Sequence, residues 1–296
     1  MKNRWLLWSA AFMGGMVLLF AICVGIVTAL LGDGETLSRG EGVGLVELKG
    51  VIVDGQETVR QLRVLKKEKR VKAVVLRVDS PGGVVGPSQE IFAAVKGLAQ
   101  VKKVVVSMGS VAASGGYYVS APATLIYANP GTITGSIGVL MKFSNIEGLM
   151  GKVGMKAFTI KTGKYKDVGS PLRSMTPEER RMLQGVIDST HDQFVRAVAE
   201  GRKLPVDQVR QIADGRIFSG EQALALKLVD RIGTLQDAVE EAGRLAGLKG
   251  EPELIRPPKK KSPVLDLLVQ SAAQHLGAIS GSDNGVSVDY RLGGTW

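Results

Sequence analysis

The stretch "KVVVSMGSVAASGGYYVS" covers residues 103–120 and joins a β-branched run to a cluster of small residues. Its first part, residues 103–109, predicts a buried strand, and a helix is expected from about Ala112. Ser114 stands between two alanines and two glycines, so nothing bulky crowds its hydroxyl and backbone N–H groups follow it directly. The pattern fits a nucleophile beside half of an oxyanion hole, and it also fits a tightly packed helix start.

Strand-like and helical stretches alternate on both sides of this segment. Strands are predicted at 44–53, 73–80, 103–109, 124–130 and 156–163, and helices at 56–70 and 87–100. The strand runs are almost continuously apolar and β-branched, which is typical of strands buried on both faces. The sequence therefore predicts an α/β domain with a mostly parallel sheet and flanking helices.

From Thr176 the pattern becomes helical. "TPEE" is a capping box with proline at the first helical position, and it predicts a long amphipathic helix to about Lys203. Two shorter helices with glycine stops are expected at 205–215 and 219–233. After residue 250 a proline and lysine break leads into a polar glycine and serine tail.

The N-terminal residues 5–31 are apolar or small and carry no charge. This run exceeds the ~20 residues that a helix needs to cross a bilayer. Lys2 and Arg4 precede it, and Asp33 and Glu35 follow it. Because positive residues stay on the cytoplasmic side, the sequence predicts an uncleaved single-pass anchor with the bulk of the protein outside the cytoplasm.

A cleaved signal peptide is the alternative for this segment, although no clean cleavage site follows it. "FAIC" loosely resembles a lipoprotein cleavage site, but bulky Ile22 before Cys23 argues against one. The predicted organisation is a short cytoplasmic N-terminus (1–4), a transmembrane anchor (5–31), a linker (32–42), a catalytic domain (43–250) and a partly flexible C-terminal extension (251–296).

Composition excludes several function classes. Cys23 is the only cysteine of the 296 residues, so the exported part has no disulfide, thiol nucleophile or thiolate metal site. The net charge of +10 comes without a nucleic-acid motif and with few aromatic residues. Much of this charge lies at 60–70 and 257–261, where a solvated surface or contact with anionic lipid is expected rather than nucleic-acid binding. We expect no metal and no cofactor.

Two loops follow neighbouring predicted strands, where reactive groups of an open α/β sheet gather. "RVDSPGG" (77–83) ends one strand, and the segment around Ser114 follows the next. Gly82 or Gly83 from the first loop and Gly115 from the second can direct two N–H groups at one point. Paired donors of this kind stabilise the oxyanion of an acyl-transfer intermediate.

A serine nucleophile needs a base. His191 falls inside the predicted long helix and His275 in the tail, so neither suits a Ser-His-Asp triad. A desolvated lysine is the known alternative, since burial disfavours its charged form. The candidates are Lys161, Lys164 and Lys166 in "IKTGKYKDVGSP", and composition does not choose among them.

Four segments together resemble bacterial signal peptide peptidase A in its short, single-domain form. They are "DSPGG" (79–83), "SMGSVAASGGYYVSAPATLIYANPGTITGSIGV" (107–139), "KTGKYKDVGSPLRSMTPEER" (161–180) and "ADGRIFSGEQALALKLVDRIG" (213–233). The resemblance covers about residues 43–245. It implies a Clp-protease/crotonase-like fold and a membrane-anchored Ser/Lys endopeptidase that degrades signal peptides left in the membrane.

Position by position, the resemblance also implies site roles. Ser114 matches the nucleophile and Lys166 the general base. Gly83 and Gly115 match the oxyanion donors, with Gly82 as the alternative to Gly83. Ser136 matches the serine that orients the lysine amine, with Thr134 as its alternative. The family forms a homo-oligomeric ring in which adjacent subunits supply serine and lysine. This arrangement implies that the subunit interface shields the lysine from water.

Three other hypotheses remain. A related membrane Ser/Lys peptidase that acts on stomatin-like membrane proteins has the same dyad and a different client. A crotonase-like acyl-CoA enzyme uses the same pair of N–H groups, but it needs neither Ser114 nor Lys166 and fits poorly with an anchor. A non-catalytic membrane scaffold would keep the fold without the chemistry.

Overall fold

The computed structural model describes residues 13–16 and 40–258. The chain divides into one unit of residues 1–256 and a second of residues 257–296. Among the described residues, no helix combines the length and the apolarity that crossing a membrane requires. The predicted anchor, apart from helical residues 13–16, and the extension beyond residue 258 lie outside the described residues.

The first unit alternates strands and helices along most of its length. The strands are β1 (Gly42–Lys49), β2 (Val71–Ser80), β3 (Lys103–Ala113), β4 (Leu125–Ala128), β5 (Ile133–Gly135), β6 (Ile217–Phe218), β7 (Arg231–Ile232) and β8 (Glu253–Ile255). The helices are α1 (Gln56–Lys67), α2 (Val85–Ala99), α3 (Gly115–Ser120), α4 (Glu147–Lys152), α5 (Pro177–Arg202), α6 (Val206–Ile212), α7 (Gly220–Ala225) and α8 (Leu235–Leu245).

The eight strands form one sheet with the order β6-β5-β3-β2-β1-β8, and β4 pairs with β3 and β7. Every pairing is parallel except that of β5 with β6. The predicted α/β class with a mostly parallel sheet is confirmed. Because β2 and β3 are parallel neighbours, the loops after Ser80 and Ala113 meet at the same edge of the sheet.

Both faces of the central strands are covered, which explains their continuous apolar sequence. Val74, Leu76 and Val78 of β2 belong to a core with α1, α2, α3 and α5. The alternate residues Ala73 and Val75 face a second core with α8. The period-2 alternation of a strand thus divides a single run of valines between two layers.

The strand predicted over 44–53 spans Gly42–Lys49 instead, and two further differences lie nearer the site. β3 continues through Ala113, so the helix predicted from about Ala112 begins at Gly115 instead. Residues 156–163 form no strand, although their composition favours one. Phe158 is 88% exposed and Ile160 fully exposed, so within one chain this segment has no neighbouring strand to pair with.

The C-terminal third was predicted less completely than the rest. The capping box of α5 is confirmed at Thr176 and Glu179. The helix expected over 219–233 ends at Ala225 and gives way to β7, while α8 and β8 were not predicted. A Thr234–Asp237 capping box at the start of α8 was the signal that sequence reasoning overlooked. β8 pairs with β1, so the sheet extends beyond residue 250.

Candidate active site

Ser114 occupies the turn between β3 and α3 in a conformation that is unusual for a residue with a side chain. Its φ is 53° and its ψ is −119°. Its N–H donates to the Gly135 carbonyl at 2.9 Å, and its own carbonyl accepts from the Tyr118 N–H at 2.8 Å. Backbone strain of this kind costs about 1–3 kcal/mol and persists only where neighbours hold it. The strained turn leaves the Ser114 side chain at the start of the helix, where it lines a pocket.

The backbone N–H groups of Gly83 and Gly115 lie beside this serine. Gly83 forms a bridge with Ile52, in which the Ile52 N–H donates to Gly82 and the Val84 N–H donates to Ile52. Within the described residues, neither the Gly83 N–H nor the Gly115 N–H donates a hydrogen bond. The Gly82 N–H, by contrast, donates to Ser80 Oγ at 3.1 Å. This difference favours Gly83 over Gly82 as the free donor.

Close packing explains the glycines at this point. A Cβ on Gly83 would lie 2.1 Å from the Ile52 carbonyl oxygen, and one on Gly115 would lie 2.7 Å from Ser88 Oγ and 3.2 Å from the Gly83 nitrogen. Gly82 has a φ of +100°, which side chains rarely adopt. The two loops therefore approach each other through bare backbone, and Gly83 and Gly115 line the same cavity.

A cavity of about 520 Å³ opens in front of these groups. Its apolar wall includes Val85, Tyr118, Leu140 and Phe194. The Tyr118 ring is fixed by an edge contact with Phe194, with ring centroids 5.0 Å apart. Ser114, Gly83, Gly115 and Ser136 all line the same cavity, so four of the five residues singled out from the sequence are brought together.

The structure also separates Ser136 from its alternative, Thr134. Thr134 is buried and its hydroxyl donates to the Ala112 carbonyl at 2.7 Å. Ser136 has a φ of 50°, and its N–H donates to the Arg216 carbonyl at 2.8 Å. Its side chain lines the cavity together with Ser114. The arrangement favours Ser136 over Thr134 as the second hydroxyl of the site.

None of the described lysines lines this cavity. Lys161, Lys164 and Lys166 all lie in residues 161–170, named here the lysine loop, and all three are exposed. The Lys161 amine pairs with Asp167, and the Lys164 amine pairs with Glu178. The bond with Glu178 raises the pKa of Lys164, the wrong direction for a base. Among the described residues, the Lys166 amine has no ion-pair partner.

Neither histidine is found in a position to act as the base in place of a lysine. The ring Nε2 of His191 lies 2.7 Å from the Ala213 carbonyl, so that nitrogen donates to the backbone. His191 does not line the cavity, although its neighbour Thr190 does. His275 lies outside the described residues.

Among the described residues that line the cavity, Asp214 supplies the only carboxylate. It accepts hydrogen bonds from Arg216 Nε at 2.7 Å and Nη2 at 2.5 Å. These bonds lower the pKa of Asp214 to about 2. Asp214 is therefore ionised at neutral pH, and its charge is already compensated by Arg216.

A model described as "Peptidase family S49" matches residues 96–249 of this chain. The chain belongs to peptidase family S49. A second model, "Clp protease", matches residues 50–128, in agreement with the Clp-protease-like α/β fold. The S49 match contains Ser114, Gly115 and Ser136, and it favours the peptidase hypothesis over the acyl-CoA hypothesis.

Individual relatives agree with the S49 assignment. A Synechocystis sp. protein named as a protease is 46% identical over 79% of this chain and 87% of the relative. An Enterococcus faecium protein named as a signal peptide peptidase SppA is 38% identical over 70% of this chain and 65% of the relative. "Protease 4" of Salmonella typhi is 39% identical over 71% of this chain and 35% of its own length. This S49 member is a serine-type peptidase of the SppA type.

Sequence reasoning missed several residues of the site. Ser88, Tyr118, Phe194 and Asp214 line the cavity, and none was singled out. Ser88 lies in the first turn of α2, directly after the glycine loop, so its proximity could have been inferred. Phe194 comes from α5 and Asp214 from the loop after α6, and no local pattern marks either residue.

The S49 domain also contains a buried carboxylate beside the lysine loop. Glu179 is 3% exposed, closes the capping box of α5 and accepts from Arg173 Nη1 at 2.9 Å. Arg173, and then the Thr176 N–H, lower the pKa of Glu179 from 4.5 to about 2. A lowered pKa stabilises the folded state above the unfolded pKa and stops doing so as pH falls towards the folded one.

We expect the stability difference between the parent and Glu179→Gln to depend on pH. Glutamine keeps a capping partner but loses the charge that binds Arg173. The parent should be the more stable at pH 7, and its advantage should shrink as pH falls from about 4.5 towards 2. Urea midpoints measured at several pH values test this expectation. A difference that stays constant across this range would contradict it.

Proposed function

We propose that this chain is a membrane-anchored Ser/Lys endopeptidase that degrades cleaved signal peptides and other unfolded or membrane-derived peptides. The observation that carries the proposal is the convergence of Ser114 with the unused N–H groups of Gly83 and Gly115 at one apolar cavity. Ser114 is the nucleophile, and the two N–H groups are the oxyanion donors. Each such donor contributes about 2.7–4 kcal/mol to lowering the barrier in acyl transfer.

Lys166 is the general base. Its neighbours Lys161 and Lys164 are held by carboxylates, which favour the charged amine. Among the described residues, Lys166 has no ion pair, so its amine can reach another site without first leaving a carboxylate partner. Ser136 orients its amine, a role supported by its position in the lining of the same cavity as Ser114.

The Lys166 amine reaches Ser114 from a neighbouring subunit of a homo-oligomeric ring. Two observations support this arrangement. Lys166 does not line the cavity of its own chain. The segment leading to it also exposes apolar side chains that a subunit interface would cover, among them Leu140, Leu149, Val153, Met155, Phe158 and Ile160.

The reaction then has two stages. Neutral Lys166 takes the proton of Ser114, whose oxygen attacks the scissile carbonyl, and the oxyanion accepts hydrogen bonds from Gly83 and Gly115. Lys166 returns the proton to the leaving amine as the peptide bond breaks. Water then attacks the acyl-enzyme, with Lys166 as base, and releases the carboxylic acid together with free Ser114.

The cavity suits peptides with apolar side chains. Val85, Tyr118, Leu140 and Phe194 supply apolar surface, and the only carboxylate among the described residues of its lining is paired with Arg216. Small residues around Ser114 leave room for an extended chain. A signal peptide core, which is rich in apolar residues, matches these features.

The apolar segment 5–31 anchors the protein in the bacterial inner membrane. Its flanking charges place residues 1–4 in the cytoplasm and the catalytic domain on the extracytoplasmic side. The domain thereby acts where signal peptides remain after export. No metal or cofactor takes part in the proposed reaction.

Labelling with a serine-directed fluorophosphonate tests the nucleophile. The full-length protein in detergent should acquire one adduct, which peptide mapping locates on Ser114. Lys166→Ala should label at least about 10²-fold more slowly, because the base that activates the hydroxyl is gone. Heat-denatured protein is the control for non-specific reaction. An adduct on Ser88 or Ser136, the other serines of the cavity, would overturn the assignment.

A further inference from the structure

The lysine loop has no helix or strand to hold it. Its internal hydrogen bonds are turns, such as Val168 N–H to the Tyr165 carbonyl at 3.1 Å and Ser170 N–H to the Asp167 carbonyl at 3.1 Å. A segment of this kind is positioned by its side-chain contacts with neighbouring elements. Those contacts lead to the first turn of α5.

Arg173 joins the loop to the helix by binding two carboxylates at once. Its Nε and Nη2 donate to the two oxygens of Asp167, each at 2.9 Å. Its Nη1 and Nη2 donate to the two oxygens of Glu179 at 2.9 and 2.5 Å. Asp167 directly follows Lys166 in the chain, so one guanidinium connects the neighbour of the proposed base to the start of α5.

Burial makes this connection different from a surface ion pair. The Glu179 side chain is 4% exposed and that of Asp167 is 13% exposed. Without Arg173, Glu179 would be a buried carboxylate left without its cation, which is costly. A planar guanidinium can bind two carboxylates in this forked way, whereas a lysine amine cannot.

A second connection holds the other side of Lys166. Tyr165 and Lys164 both donate to the Glu178 carboxylate, next to Glu179 on α5. Both chain neighbours of Lys166 are thus attached to the same helical turn. Within the described residues, the Lys166 amine itself makes no hydrogen bond or ion pair.

We propose that Arg173 is a positioning residue for the general base: by bridging Asp167 and Glu179, it fixes the peptide that carries Lys166 to the first turn of α5. This inference rests on the proposed role of Lys166. Arg173 does not touch the reacting atoms. It sets the place from which the Lys166 amine projects towards a neighbouring Ser114.

The bridge is fully charged at working pH. Bonds with Glu179 and Asp167 raise the pKa of Arg173, and bonds with Arg173 and Lys161 lower the pKa of Asp167. The charged or titratable groups of residues 161–180 are Lys161, Lys164, Tyr165, Lys166, Asp167, Arg173, Glu178, Glu179 and Arg180. The bridge therefore stays closed across the pH range in which a lysine base titrates.

Kinetics of the full-length Arg173→Lys, Arg173→Ala and Glu179→Gln proteins test this role. A displacement of about 1 Å at a catalytic group costs about 10²-fold in rate. We expect kcat to fall about 10- to 100-fold in the Arg173 variants, with KM for an apolar peptide within about twofold of the parent. The kcat of Glu179→Gln should fall less, because this variant keeps a capping partner for α5 and the contact between Arg173 and Asp167.

A pH profile separates positioning from loss of folded protein. Because the rising limb of kcat/KM reports the base of the free enzyme, a displaced base shifts this limb along the pH axis. A smaller folded fraction lowers activity equally at every pH and leaves the limb in place. Titration of active sites with the fluorophosphonate supplies the folded fraction of each variant.

Arg210→Ala is the matched control. Arg210 also pairs with a carboxylate of α5, that of Asp192 at 2.9 Å, but both side chains are exposed and far from the lysine loop in sequence. Arg210→Ala should keep the parental kcat, and the rising limb of its kcat/KM profile should lie at the same pH as in the parent. Suppose that Lys166→Ala is inactive while both Arg173 variants match the parent in kcat and in the pH of the rising kcat/KM limb. The inference is then overturned and the proposed function stands. If Lys166→Ala is active, both are overturned.

Discussion

Ser114→Ala is expected to lower kcat/KM for peptide cleavage by at least about 10³-fold, and Lys166→Ala by a similar factor. Each removes one half of a nucleophile and base pair that acts as a unit, so either loss stops proton transfer. Neither change should unfold the protein, because Lys166 is exposed and, among the described residues, the Ser114 side chain makes no capping hydrogen bond. Cleavage of a fluorogenic apolar peptide by the full-length protein in detergent measures both effects.

The other lysines of the loop provide the comparison. Lys161→Ala and Lys164→Ala should stay within about tenfold of the parent, because Asp167 keeps its bond with Arg173 and Glu178 keeps its bond with Tyr165. Lys249→Ala, at an exposed lysine outside both the loop and the apolar segment, should match the parent. A Ser114→Ala protein that cleaves as well as the parent would refute the nucleophile. A Lys164→Ala protein as inactive as Lys166→Ala would leave the choice of base unsupported.

Mixing two inactive variants is expected to restore activity. In a ring, each interface pairs two different surfaces, so one subunit offers Ser114 and its neighbour offers Lys166. When Ser114→Ala and Lys166→Ala chains are co-assembled in equal amounts, about a quarter of the interfaces combine an intact serine with an intact lysine. Activity should therefore recover from the background to about a quarter of the parental value.

The control for this experiment pairs Ser114→Ala with the double variant Ser114→Ala/Lys166→Ala. No chain then offers the serine, so the mixture should stay inactive. Two different affinity tags confirm that mixed assemblies form. Mixed assemblies of the two single variants that remain inactive would mean that serine and lysine come from the same chain.

Local sequence predicted the central layer well. The runs at 73–80 and 103–109 are strands because their valines suit a sheet covered on both faces. The small residues around Ser114 and the glycines at 82–83 indicated a close approach of two loops, and these loops do meet. The spacing of Thr176 and Glu179 alone predicted the start of α5.

Predictions from local sequence failed for segments whose structure depends on contacts with residues far along the chain. Residues 156–163 have strand composition, yet Phe158 and Ile160 find no neighbour within one chain. The local sequence does not distinguish Arg173 from other loop arginines. Its ion pairs with Asp167 and Glu179 are evident only in the folded structure. The choice of Gly83 over Gly82 needed the bond from the Gly82 N–H to Ser80.

The sequence by itself determined the α/β class, the position of Ser114 after a buried strand and the three lysines among which a base is sought. These features follow from side-chain periodicity, glycine freedom and the scarcity of histidine, all of which are local or compositional. Only the tertiary structure decided which N–H groups are free, which hydroxyl faces the cavity and which lysines are already paired. Those outcomes depend on hydrogen bonds between residues distant in the chain, and such bonds form only when the sheet brings its strand ends together.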